Sequence, residues 1–140
     1  MSDVKFYYCT ICGNIIEKIH DSGLTPMCCM RDMEELKAGM TDGRFESHVP
    51  ICETSGRKVR ICVGAEPHPM EKDHFIEWIE LVTDKGIYRR HLNPGDEPFA
   101  KFRLCKNEKI TDVFAYCNRH KLWRGAMPTD DMDYDRYTDD

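Results

Sequence analysis

Phe75-Ile76-Glu77-Trp78-Ile79-Glu80-Leu81-Val82, running on towards Asp84-Lys85-Gly86, is the stretch on which the fold turns. Aromatic and β-branched residues follow one another in a short pattern that stops at turn-forming residues, which is the signature of a strand. Working outward, Lys58-Val59-Arg60-Ile61-Cys62-Val63 alternates before Gly64. Downstream, Pro98-Phe99-Ala100-Lys101-Phe102-Arg103-Leu104 and Ile110-Thr111-Asp112-Val113-Phe114-Ala115-Tyr116 are of the same kind. Strands at this spacing predict a mainly β fold, an antiparallel sandwich, from about residue 45 onward. No stretch has the periodicity of a long amphipathic helix, and no internal repeat is evident.

The segment before it differs in kind. It contains Cys9-Thr10-Ile11-Cys12-Gly13, then Gly23, Pro26 and the adjacent pair Cys28-Cys29. So short a segment cannot bury a stabilising core alone, and a metal staple is the expected remedy. Gly39, Thr41, Asp42 and Gly43 read as a flexible connection. The organisation expected is a metal-stapled unit at 1–37, a β-sandwich at 38–126 and an acidic, disordered tail at 127–140.

The formal charge of −5 resides in that tail, where Asp130, Asp131, Asp133, Asp135, Asp139 and Asp140 face only Arg136. The rest of the chain carries as many basic as acidic side chains, so a nucleic-acid partner is not expected. Nor is a membrane role, since no run approaches the roughly 18 apolar residues of a span. Met1-Ser2-Asp3-Val4-Lys5 lacks the features of a secretory signal, and a cytoplasmic location is expected. Eight cysteines in such a chain point to metal ligation rather than a disulfide framework.

Cys9 and Cys12 flank a tight turn that aims both thiolates at one ion, and Cys28 and Cys29 complete a set of four. Four thiolates favour tetrahedral zinc or iron, and spacing alone does not choose between them. Neighbouring side chains diverge, so Cys28 and Cys29 reach one ion only if the backbone bends between them. In the second unit His48, His68, His74, Cys117 and His120 each lie beside a turn or at a strand end. One histidine in isolation is an ordinary surface or core residue; five potential ligands in such places form a candidate centre.

The Cys-x-x-Cys and Cys-Cys pairs, followed by Met30, Arg31 and Asp32, resemble the desulforedoxin-like domain of the desulfoferrodoxin family. Glu46-Ser47-His48-Val49-Pro50, His68-Pro69-Met70-Glu71-Lys72-Asp73-His74-Phe75-Ile76-Glu77-Trp78-Ile79 and Cys117-Asn118-Arg119-His120-Lys121-Leu122-Trp123 resemble the catalytic centre of the superoxide reductases. The resemblance covers nearly the whole chain except the tail. It implies an immunoglobulin-like sandwich, a homodimer and two irons per chain. One iron would be held by Cys9, Cys12, Cys28 and Cys29 as an electron-transfer site. The other would be held by four equatorial histidines, His48, His68, His74 and His120, and the axial Cys117, with the sixth position open. The implied activity is one-electron reduction of superoxide to hydrogen peroxide, with electrons from a donor such as rubredoxin. Four neutral imidazoles and one thiolate leave Fe(II) at +1, which attracts an anion, and an axial thiolate donates density towards the opposite ligand.

Two departures stand out. The family carries Glu-Lys before the first histidine, where the lysine is thought to steer superoxide and organise protonating water; here the pair is Glu46-Ser47. Glu46 matches the residue that can occupy the sixth position in the oxidised state, and Lys72 or Arg44 are the candidate replacement cations. Lys121 stands where the family often has glycine. Cys52 and Cys62 are expected as small core residues and Cys105 has no assigned role, while His20 and His91 are expected exposed in polar turns. Competing readings are a non-enzymatic iron or zinc electron-transfer or redox-sensing module, and a dismutase. A dismutase would oxidise superoxide as well as reduce it.

Overall fold

The computed structural model describes residues 4–40 and 43–126. Thr41, Asp42 and the acidic tail at 127–140 lie outside the described residues. The chain divides between Lys37 and Ala38 into two compact units.

In the first unit, β1 (Phe6–Tyr8) pairs antiparallel with β2 (Ile15–Glu17). Further along are β3 (Met27–Cys28), β4 (Arg31–Asp32) and β5 (Glu34–Glu35). β5 joins the other edge of β1, and β3 and β4 form a separate hairpin. Tyr7, Cys9 and Met33 make a small buried cluster with Cys28 packed against it. Phe6 and Leu36 of this unit are buried as well, but at roughly 1.5–3 kcal/mol per buried side chain so few residues cannot offset the ordering of such a segment.

The second unit opens with one helical turn, α1 (Phe45–His48), and continues through seven strands. These are β6 (Pro50–Ser55), β7 (Lys58–Val63), β8 (Ile76–Thr83), β9 (Ile87–His91), β10 (Phe99–Arg103), β11 (Ile110–Cys117) and β12 (Lys121–Arg124). One sheet has the order β10-β7-β6 and the other β12-β11-β8-β9, with every pair antiparallel. Val59, Ile61 and Val63 from β7 meet Ile79 and Leu81 from β8 and Val113, Ala115 and Cys117 from β11 in one core. Three strands over four, packed on alternating inward residues, make the immunoglobulin-like sandwich expected. Among the described residues no helix is long and apolar enough to cross a membrane.

Cys52 is buried, but Cys62 is only half-buried, which corrects its expected place in the core. Register gives the reason: Cys52 lies opposite Ile61 on the core face, whereas Cys62 lies opposite Ile51, which is exposed. His91 is exposed as expected, yet it closes β9 rather than sitting in a turn. The strand is an edge whose side chains are mostly exposed; main-chain pairing to β8 holds it whatever their polarity.

Candidate metal centres

The first cluster is shaped by two turns. Gly13, at φ +83°, closes the Cys9–Cys12 loop with its N–H on the Cys9 carbonyl at 2.9 Å. That loop points the N–H groups of Ile11 and Cys12 at the Cys9 sulfur, 3.4 and 3.5 Å away. The β3–β4 hairpin supplies the other pair. Cys29 and Met30 both have positive φ, +52° and +64°, as a two-residue type I′ turn demands. This is the bend that adjacent cysteines require, and it is held here by two non-glycine residues.

Cys12 Sγ lies 3.6 Å from Cys28 Sγ, and the Cys28 and Cys29 sulfurs are 4.0 Å apart. All four sulfurs fall within 4.8 Å of one another. A tetrahedron with corners about 2.3 Å from its centre has edges of about 3.8 Å, so the set fits a tetrahedral thiolate-bound ion. The protons say the same. Hydrogen bonding from the Cys12 backbone N–H holds the Cys9 thiol down to about 6. Hydrogen bonds to Cys12 and then Cys9 raise Cys28, and push Cys29 up to about 12. Four thiolates at neutral pH need a cation among them.

The second cluster draws on four segments of the sandwich. His48 ends α1, and its Nδ1–H donates to the Arg44 carbonyl at 2.7 Å. His68 Nδ1–H donates to the Pro69 carbonyl at 2.6 Å. Each bond fixes the tautomer and leaves Nε2 as an acceptor facing inward. Those two Nε2 atoms are 3.1 Å apart, and His120 Nδ1 is 3.0 Å from His48 Nε2. His74 Nε2 is buried with no hydrogen-bond partner. Acceptor nitrogens do not converge at such distances without a positive charge between them, so the donor set fits a metal ion.

The rings run in the order His48, His68, His74, His120. Neighbouring centroids are 4.5, 4.9, 5.4 and 4.7 Å apart and the His48–His74 diagonal is 6.4 Å. Cys117 Sγ is 3.9 Å from His120 Nδ1, and His48, His74, Cys117 and His120 place their ligand atoms within 4.8 Å of one another. A register shift between Tyr116 and Cys117, opposite β8, re-aims the end of β11 at this point. Burial lowers the pKa of His48 and His74 and brings His68 down to about 4, so these three imidazoles are neutral at pH 7. Burial also raises the Cys117 thiol, against N–H groups of Arg119 and His120 that favour the thiolate.

Glu46 and Ser47 flank His48 without joining the ring. The Glu46 carboxylate is 3.5 Å from Arg44 Nε and its side chain is 60% exposed. Ser47 Oγ lies 3.3 Å from His48 Nδ1. Of the candidate replacement cations, Arg44 is paired with both Glu46 and Glu66, and Lys72 is exposed in the turn between Glu71 and His74. Lys121 adopts φ +63°, the left-handed conformation that glycine takes without strain.

Three residues support the site through contacts that were not read from sequence. Asn118 accepts from the Phe75 N–H at 3.0 Å and donates to the Asp73 carbonyl at 3.1 Å, tying the His74 loop to the Cys117–His120 loop. Trp123 donates to the His120 carbonyl at 3.0 Å and packs at a tilt against His48, with ring centroids 4.9 Å apart. Arg44 contributes through its carbonyl, which no sequence pattern announces.

Comparison with known proteins finds relatives that span both units. The family described as Desulfoferrodoxin matches residues 40–126, and its N-terminal domain matches residues 2–36. The Desulfoferrodoxin homolog of Archaeoglobus fulgidus is 41% identical over 88% of this chain and 97% of its own length. Desulfoferrodoxin of Nitratidesulfovibrio vulgaris is 42% identical over 86% of this chain and 94% of its own. The crystal structure of the superoxide reductase from Treponema pallidum superposes with a TM-score of 0.75 at 26% identity, covering 89% of this chain and 100% of that one. With matched segments spanning both units and the cysteines and histidines of both clusters inside them, the chain belongs to the desulfoferrodoxin family.

Proposed function

We propose that this protein is a superoxide reductase. Its ring site, His48, His68, His74, His120 and Cys117, would hold the working iron, and Cys9, Cys12, Cys28 and Cys29 a second ion, iron or zinc. The observation that carries the reading is the closed ring of four imidazoles with the Cys117 sulfur beside it. Iron bound there would supply a single electron to a small anion.

The rest falls to the chain's own groups. His48 and His68 present Nε2 through tautomers already locked by backbone carbonyls, so the ring need not reorganise when it is charged. N–H groups of Arg119 and His120 on the Cys117 sulfur temper its donation. Cys117 is fully buried whereas His74 and His120 are partly exposed, so water reaches the imidazoles and not the sulfur. Reduction consumes one superoxide, one electron and two protons to give one hydrogen peroxide. No carboxylate among the described residues belongs to the ring cluster, so water delivers the protons. The electron comes from an external donor of the rubredoxin kind, and the working form is a homodimer.

The test is a product balance on the reduced protein given superoxide, with a measured supply of electrons. A reductase makes one peroxide per electron and no matching oxygen. Oxygen released in equal amount to peroxide would make it a dismutase, and failure to consume superoxide would leave an electron-transfer or sensing module.

A further inference from the structure

Two glycines leave no room for a side chain beside the ring centre: Gly43 lies against His120, and Gly64 against the backbone of Ser47, next to His48. Gly64 lies at φ +91° in the segment leading to His68, and its N–H donates to the Val49 carbonyl at 3.1 Å. Two residues on, the Glu66 N–H donates to the Glu46 carbonyl at 2.9 Å. These bonds bracket His48 and fasten α1, which has no side-chain cap of its own, to the segment that carries His68. A Cβ at Gly64 would lie 2.3 Å from the Glu66 carbonyl oxygen and 2.8 Å from the Ser47 Cα and carbonyl carbon. All three are backbone atoms, which cannot rotate aside. Gly43 closes the other side of the ring. A Cβ there would lie 2.8 Å from His120 Cβ, 2.9 Å from His120 Cγ and 2.9 Å from Trp123 Cζ2.

We propose that Gly64 and Gly43 are positioning residues of the ring centre, setting by their lack of a side chain the separations of His48 from His68 and of His120 from its neighbours. Against an ordinary closest contact of 3.4 Å, alanine at 64 must push α1 away by about 0.6 Å, and the Glu66 carbonyl by more. The nitrogens concerned are 3.1 Å apart, and a ligand set is held productively only within about 0.5 Å. Alanine at 43 displaces His120 by a similar amount without any backbone strain, because Gly43 is not at positive φ. The inference rests on reading these side chains as one metal centre.

The experiment uses the full chain with iron, comparing wild type, G64A, G43A and, as a control, G86A, whose added Cβ meets nothing within 4 Å. Iron per chain, affinity by chelator competition and the sulfur-to-iron absorption of each centre are read together. The expected result is a loss of at least tenfold in second-centre affinity for G64A, a smaller loss and a shifted band for G43A, and no change for G86A. The first-centre absorption stays constant and serves as an internal standard. Wild-type affinity and band position in both G64A and G43A would overturn the proposal. If G64A fails to fold by circular dichroism, G43A decides alone. A wild type that binds no iron at the ring would instead sink the metal-centre reading, a separate outcome.

Discussion

Ser47→Lys is the substitution that tests whether electrostatic steering limits this protein. Ser47 adjoins His48, and its neighbour Arg44 pairs with Glu46 at 3.5 Å and Glu66 at 3.0 Å, a group of formal charge −1. A lysine here brings that group to neutrality. At roughly 8 Å from an arriving anion, with an effective dielectric constant of about 40–80, a unit charge contributes about 0.5–1 kcal/mol. That corresponds to a two- to sixfold rise, roughly, in the second-order rate with superoxide at low salt. At about 0.15 M salt the screening length is about 8 Å, and the gain falls below about twofold. The assay is the decay of a superoxide pulse over reduced protein at 10 and 150 mM salt, with Ser47→Gln as the neutral control. Equal rates for Lys and Gln at low salt would refute steering, as would a gain that high salt leaves intact.

Other outcomes follow from the supporting contacts. In metal-free protein the His68 ring should titrate near pH 4, read from its NMR shift. Because that folded value lies below the unfolded one of about 6.5, stability is full above 6.5 and falls as pH drops towards 4; a midpoint near 6.5 would contradict the burial. Cys117→Ser should remove the sulfur-to-iron absorption of the ring centre and leave that of the four-cysteine centre, each read in one oxidative titration. Asn118→Ala removes two hydrogen bonds between the ligand loops and should cost about 1–3 kcal/mol in a denaturant melt, with weaker iron binding at the ring. At φ +63°, Lys121→Val should cost about 1–2 kcal/mol by the same melt while Lys121→Gly costs nothing comparable.

Legibility in the sequence tracked how much of each element depends on its own residues. β7, β8, β10 and β11 were readable because burial on one face makes a strand alternate and burial on both, as in β8 and β11, makes it run apolar. β9 was not, since an edge strand is held by main-chain pairing alone, and the two- and three-residue strands of the first unit are too short to show a period. The four-cysteine cluster was legible from spacing because the Cys9–Cys12 turn and the Cys28–Cys29 pair are local. The histidines were not individually legible; their order along a recognisable pattern collected them. Invisible were the facts that give the ring its chemistry. Which nitrogen faces the ion is set by the carbonyls of Arg44 and Pro69, and the aim of Cys117 is set by a register shift against β8. Sequence also placed Glu46 beside the site but could not show that Arg44 draws its carboxylate away.

The two centres are built on opposite principles, and their tasks account for the difference. The cysteine cluster depends on its ion: two non-glycine residues at positive φ form its hairpin turn, and its thiols span from about 6 to about 12 in pKa. Its small core offers little else to hold it, so binding energy is folding energy there. An electron relay tolerates this, because it needs only low reorganisation once loaded. The imidazole ring is fixed by carbonyls, by Asn118 and Trp123, and by a sandwich core of which Cys117 is itself a member. A site that must meet a short-lived anion cannot spend time assembling itself, and preorganisation of this kind keeps the cost of charge arrival outside the reaction step.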